Sequence, residues 1–170
     1  MQGLCDEEQY QKAAACAAAM LARRPLSAVM LEKKLIEKKF GKQAAAYAVE
    51  RMRVLGAVND ALFAELSVRS YTRKGYGALR IRQELRARGV GDTDIADALA
   101  VFEPNWDYMH RVLDKRLDGD VSDRRECEKA MAALQRRGFS FSDIREAMKQ
   151  YREQCTENQE SLKQTYREEE

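Results

Sequence analysis

Apolar residues recur along this chain in a pattern written three times. Leu31, Leu35 and Phe40 are matched fifty residues on by Ile81, Leu85 and Val90, and forty-nine residues after that by Ala130, Leu134 and Phe139. The first two positions of each set are four apart, so they share one face of a helix. A small residue follows each third position: Gly41, Gly91 or Ser140, all suited to open a new helix. The next helix is marked by Ala45 and Val49, Ile95 and Leu99, or Ile144 and Met148. Ser140 and Asp143 have capping-box spacing. A leading helix precedes each pair. The first runs from about Glu8 to Ala22 and is closed by Arg24-Pro25, with Ser27 capping its successor. Asn59 caps the second, which carries Leu62, Phe63 and Leu66, and Asn105 caps the third, which carries Tyr108, Met109, Val112 and Leu113.

The pattern predicts an all-α protein of about nine helices, a stacked or elongated array of three tandem three-helix (helix-turn-helix-like) repeats. Repeat 1 covers residues 1–57, repeat 2 residues 58–103 and repeat 3 residues 104–155. The glutamate-rich tail, residues 156–170, is expected to be frayed or disordered. Gly56-Ala57-Val58-Asn59-Asp60 and Glu103-Pro104-Asn105 mark the seams. Phe40, Phe63, Ile95, Leu99, Phe139 and Ile144 are expected in the core, with Trp106 as an anchor of repeat 3.

Charge sharpens the picture. The formal net charge is only +2. From Arg23 through Val90, however, there are 16 lysines and arginines against 6 acids, while the remainder holds 14 against 22. Arginine and lysine crowd residues 69–90, with Glu84 the single acid. On the helix expected from Ala78 to Gly89, Ile81 and Leu85 form the packing face, and Arg82 and Arg86 form a separate stripe. A basic surface beside an acidic one suits a polyanionic or acidic partner. The candidate contacts are Lys33, Lys34, Lys38 and Lys39 in repeat 1, and Arg69, Arg73, Lys74, Arg80, Arg82, Arg86 and Arg88 in repeat 2. Repeat 3 adds Arg124, Arg125, Arg136 and Arg137. Glu84 and Arg88 have favourable i,i+4 geometry, which favours Arg82 and Arg86 over Arg88 as external contacts. Tyr71 and Tyr76 flank the Gly75-Tyr76-Gly77 turn and could stack on bases. A structural role, pinning the helix crossing, is favoured for Tyr76.

Other chemistry finds little support. Cys5, Cys16, Cys127 and Cys155 show no CxxC pair and no histidine at metal spacing, so they read as reduced thiols rather than a metal site. His110 is the only histidine and has no nucleophile at recognisable spacing. No phosphate-binding glycine pattern is present. The aspartates from Asp118 to Asp123 lack the regular ligand positions of a calcium loop. No catalytic residue and no cofactor are expected, and the chain does not read as an enzyme. Acids at Asp6, Glu7 and Glu8 are wrong for a signal peptide, and no run of 18 apolar residues is present, so a cytoplasmic location is expected.

Gly75-Tyr76-Gly77, then Arg80-Ile81-Arg82-Gln83-Glu84-Leu85 and Gly89-Val90, resemble the core signature of the RecX regulatory proteins. Leu31-Glu32-Lys33-Lys34-Leu35, the seam residues Gly56, Asp60 and Phe63, and Arg136-Arg137-Gly138-Phe139-Ser140 with Asp143-Ile144 fit the same family. The resemblance covers roughly residues 12 to 150. It departs at Ala78, where the family often has proline, and at the first seam, usually Gly-Tyr-Leu-Asp-Asp. The resemblance implies an elongated, curved array that binds the RecA–single-stranded DNA filament along its groove. It further implies inhibition of filament growth, ATP hydrolysis, strand exchange and co-protease activity. The implied partners are the RecA filament and single-stranded DNA, with no membrane involved and the chain a monomer. The alternative is a stand-alone nucleic-acid-binding repeat protein.

Overall fold

The computed structural model describes residues 2–168, with side chains described from residue 7 to residue 158. The side chains of Cys5, Asp6, Glu160 and Glu168, and all of Glu169 and Glu170, lie outside the described residues. Among the described residues there are nine α-helices and no strand. They are α1 (Gln2–Leu21), α2 (Ala28–Glu37), α3 (Lys42–Val54), α4 (Asp60–Arg73), α5 (Ala78–Ala87), α6 (Asp92–Ala100), α7 (Trp106–Leu117), α8 (Arg124–Arg136) and α9 (Phe141–Glu168).

The turn after the second helix of each triplet explains the fifty-residue repetition. In the first, the Lys39 N–H donates to the Ile36 carbonyl at 2.9 Å and the Phe40 N–H to the Leu35 carbonyl at 3.2 Å. Gly89 and Val90 repeat this onto Arg86 and Leu85, and Gly138 and Phe139 repeat it onto Gln135 and Leu134. This is the Schellman closure, in which the residue after the cap must adopt a left-handed conformation. Gly89 (φ 74°) and Gly138 (φ 83°) do so without strain, whereas Lys39 (φ 70°) does so as a non-glycine residue. The closure brings the apolar residue that follows back onto the helix. Leu31, Leu35, Ile81, Leu85, Leu134 and Phe139 are accordingly buried to within a percent or so, and Phe40 is half-buried.

Helix starts follow the expected caps. Ser27 Oγ accepts from the Met30 N–H, Asn59 Oδ1 from Leu62 and Asn105 Oδ1 from Tyr108. Ser140 and Asp143 cap each other reciprocally, at 3.1 and 3.2 Å. Gly41 and Gly91 open α3 and α6 from extended backbone.

Internal contacts divide the chain into two compact units: Met1–Arg69 with Arg82–Phe102 (unit one), and Ser70–Ile81 with Glu103–Glu170 (unit two). In unit one, α1, α2 and α3 pack on one another. Their core joins Leu31, Leu35 and Met52 to Ala13, Ala17, Ala44, Ala45 and Ala48, whose small side chains let the helices approach closely. Asp60, at the start of α4, reaches back so that its Oδ1 accepts from the Ala28 N–H at 2.9 Å. A carboxylate and Ser27 together thus cap the first turn of α2, where negative charge is favoured. In unit two, α7, α8 and α9 enclose Met109, Leu113, Ala130, Leu134, Phe139 and Ile144, with Trp106 packed at the edge. The acidic loop is tied down by Tyr151, whose hydroxyl accepts from the Gly119 N–H at 3.0 Å and donates to Asp114 Oδ1 at 3.2 Å. Burial pushes that phenol up to about 12. Among the described residues no acidic cluster could hold a metal ion, and Cys16, Cys127 and Cys155 are free thiols.

Helix α9 runs on through the tail backbone to Glu168; the segment is rich in Glu, Gln, Lys and Arg, which are good helix formers. The end of α4, the glycine turn and the start of α5 group with α7–α9.

Candidate functional site

The Gly75-Tyr76-Gly77 turn is built by contacts within unit two. Gly75 ends α4 with φ 75°, and a Cβ there would sit 2.4 Å from the Tyr108 ring. The Gly77 N–H donates to the Arg137 carbonyl at 2.9 Å, and the Leu79 N–H to the Gly138 carbonyl at 3.0 Å. The unpaired amides that open α5 are therefore satisfied by the carbonyls that close α8. Backbone meets backbone so closely that a Cβ on Gly77 would lie 2.2 Å from the Gly138 oxygen. The Tyr76 ring stacks on Tyr71 with centroids 5.5 Å apart, and the Arg137 guanidinium lies 5.6 Å from the Tyr76 centroid and 5.5 Å from that of Tyr108. Lys74 sits over Tyr71 at 5.5 Å. Tyr76 is thus half-buried between contacts with Tyr71 and Arg137.

An equivalent joint lies in unit one. There the Ser27 hydroxyl donates to the Arg88 carbonyl, and Gly89 packs on Val29, where a Cβ would come within 2.4 Å. Lys33, Lys34 and Arg88 are brought together beside Val29 and Met30, around a groove of about 260 Å³. Lys38 and Lys39 are exposed at the end of α2, Arg69 is exposed on α4, and Arg82 is exposed on α5. The Arg82 side chain makes no ion pair or hydrogen bond among the described residues. Arg86 is engaged: its Nε lies 2.7 Å from Asp92 Oδ1, in a pair whose side chains are 59 and 74% exposed. Such a pair is worth well under about 1 kcal/mol in water, so an external anion can displace it.

In unit two, Arg73, Lys74, Arg80, Arg136 and Arg137 are exposed. Arg80 and Arg137 meet at the backbone joint, where the Arg137 carbonyl accepts from Gly77 and a Cβ on Gly138 would contact Arg80 at 2.4 Å; Arg136 is the last residue of α8. Arg124 and Arg125 open α8, whereas Arg136 and Arg137 end it, about 18 Å away along the axis. Arg124 is paired with Glu128 at 2.9 Å and its neighbour Lys129 with Glu126 at 2.6 Å, so that end carries mixed charge. The structure therefore brings Arg80 and Arg137 together, with Arg136 next in sequence, and leaves Arg124 and Arg125 at the far end of α8. One basic row escaped the sequence reading: Arg145, Lys149 and Arg152 on α9. Their spacing of four and then three residues is the signal that could have found it.

Comparison with known proteins supports the resemblance. The family profile for the second three-helix domain of RecX matches residues 59–99, and that for the third matches residues 103–148. The regulatory protein RecX of Chromohalobacter salexigens is 38% identical over 130 residues, covering 76% of this chain and 86% of that protein. The RecX of Xanthomonas axonopodis pv. citri is 38% identical over 130 residues, covering 75% and 80%. A crystal structure of a regulatory protein RecX superposes with a TM-score of 0.77 at 25% identity, covering 88% of this chain and 75% of that one. The RecX of Lactobacillus salivarius superposes equally well, with a TM-score of 0.77 at 20% identity, and so shares the fold. These relatives are named as regulatory proteins rather than as enzymes. No helix of the described residues is long and apolar enough to cross a membrane.

Proposed function

We propose, from the premise that this chain belongs to the RecX family of regulatory proteins, that it is a cytoplasmic regulator binding the RecA–single-stranded DNA filament. It acts there as a monomer and opposes filament growth, so that ATP hydrolysis, strand exchange and co-protease activity fall. Family membership supports the choice of partner. The observation that carries the reading to residues is the exposure of the cations. Apart from the half-buried Lys34 and Arg88, every named lysine and arginine lies on the surface, and Arg86 and Arg124 are held only by exposed pairs.

Arg82 and Arg86 are the first contacts, since a guanidinium pairs in bidentate fashion with phosphate or carboxylate. Arg69, Lys33, Lys34, Lys38, Lys39 and Arg88 extend the contact on unit one. Arg73, Lys74, Arg80 and Arg136 serve on unit two. Arg137 and Tyr76 contribute by holding the glycine turn in place.

The test is a titration of the protein into RecA and single-stranded DNA while ATP hydrolysis is followed. Hydrolysis is expected to fall at stoichiometric protein. Arg82→Glu with Arg86→Glu is expected to weaken inhibition at least tenfold with an unchanged helical circular dichroism signal. Unchanged hydrolysis with the parent protein would overturn the reading. Tight, steeply salt-dependent DNA binding without RecA would favour the stand-alone nucleic-acid binder.

A further inference from the structure

Unit two carries a groove that the proposed filament contacts do not use. It lies between α8 and α9, has a volume of about 380 Å³, and its apolar surface comes from Met131, Phe141 and Met148. Met148 is buried at its base and Met131 is half-buried, while Phe141 stands 67% exposed at the start of α9. Such exposure is costly for a large aromatic ring and is not explained by the fold, because Ser140 and Asp143 already supply the helix cap. Arg145, Lys149 and Arg152 line the same groove. Phe141, Arg145, Met148, Lys149 and Arg152 follow one another at intervals of four, three, one and three residues, and so occupy one face of α9. The Arg145 guanidinium lies over the Phe141 ring at 4.9 Å, and Lys149 is 4.0 Å from Glu153 in a pair more than half exposed.

We propose that this groove docks an acidic protein segment bearing an apolar anchor side chain. Charge complementarity sets the sign of the partner: three cations rim the groove and the single acid beside them is only loosely held. The floor sets its class. A nucleobase pressed against two thioethers and a phenyl ring would leave its polar edges without hydrogen-bond partners, at a cost of about 1–3 kcal/mol for each buried group. An aliphatic or aromatic side chain has no such edges. Methionine, unbranched and polarizable, lets a groove accept anchors of differing shape. A short helix or turn with one or two apolar residues inserted, and aspartates or glutamates facing Arg145, Lys149 and Arg152, satisfies both halves of the site. The proposal goes beyond the filament reading and uses none of its residues.

The test is selection of a displayed library of random twelve-residue peptides against the immobilised full chain, with Phe141→Ser/Lys149→Glu as the counter-target. The parent is expected to enrich peptides with an apolar anchor flanked by acids. The winning peptide, fluorescently labelled, is expected to bind the variant at least tenfold more weakly and Arg82→Glu/Arg86→Glu equally well. Both variants are checked for parental circular dichroism, and Arg145→Glu is the substitute if Phe141→Ser/Lys149→Glu unfolds. No enrichment over the counter-target, enrichment of basic or purely polar peptides, or displacement of the peptide by oligothymidylate at comparable affinity would each overturn the proposal. Because no RecA is present, failure here leaves the hydrolysis titration untouched, and the reverse also holds.

Discussion

The two helix joints solve one problem at different distances. Ser27 and Gly77 are fifty residues apart and equivalent, as are the pairs Arg88 and Arg137, and Gly89 and Gly138, at forty-nine. In unit one a side-chain hydroxyl spans the gap from Ser27 to the Arg88 carbonyl. In unit two no side chain intervenes, and the amides of Gly77 and Leu79 reach the carbonyls of Arg137 and Gly138 directly. The family signature glycines thus answer to spacing as well as to conformation. Gly77 is required because a neighbouring main chain fills the space where its Cβ would be. The same module can be fastened loosely, with one hydroxyl, or tightly, with two backbone bonds.

That contrast can be broken. Gly77→Ala drives a methyl group into the Gly138 carbonyl, which has no flexible end to yield. It is expected to destabilise unit two by about 3 kcal/mol or more. Urea unfolding followed by the fluorescence of Trp106, the single tryptophan and a member of unit two, reads the loss. A change below about 1 kcal/mol would mean that the backbone joint is not tight. In unit one, Ser27→Ala removes both the cap on Met30 and the bond to Arg88, and is expected to cost about 1–2 kcal/mol. Ser27→Gly, which installs the residue found at the tight joint, is expected to lose somewhat less. Both are read by circular dichroism as a lower urea midpoint. Lys39→Gly has the smallest expected effect and the opposite sign. Relief of the left-handed lysine is expected to raise the stability of unit one by about 1 kcal/mol, seen as a higher urea midpoint.

What could be read in the sequence follows from range. Ser27, Asn59, Asn105 and the Ser140–Asp143 box are caps whose partners lie within three residues, and each was legible. So were the turns at Phe40, Val90 and Phe139, because their carbonyl partners lie five residues back. The joints were not legible, since Ser27 and Arg88, or Gly77 and Arg137, lie some sixty residues apart. Arg137 illustrates the consequence. By composition it belongs to a basic run, but its guanidinium faces Tyr76, contributed by the glycine turn, and Tyr108, contributed by α7. Arg86 was legible as a surface cation, yet its Asp92 partner lies beyond a left-handed turn that redirects the chain. Asp60 was recognised as a seam residue without its task, because the amide it caps sits on another helix, thirty-two residues earlier.

The Arg137 clasp has a consequence for the conditions the molecule withstands. The clasp sets a guanidinium against two phenol rings, and the corner beside it is closed by two backbone hydrogen bonds from Gly77 and Leu79. Salt that screens the exposed pairs at Arg86 and Arg124 therefore leaves those backbone bonds in place, and the glycine corner keeps its shape where the ion-paired surface has let go.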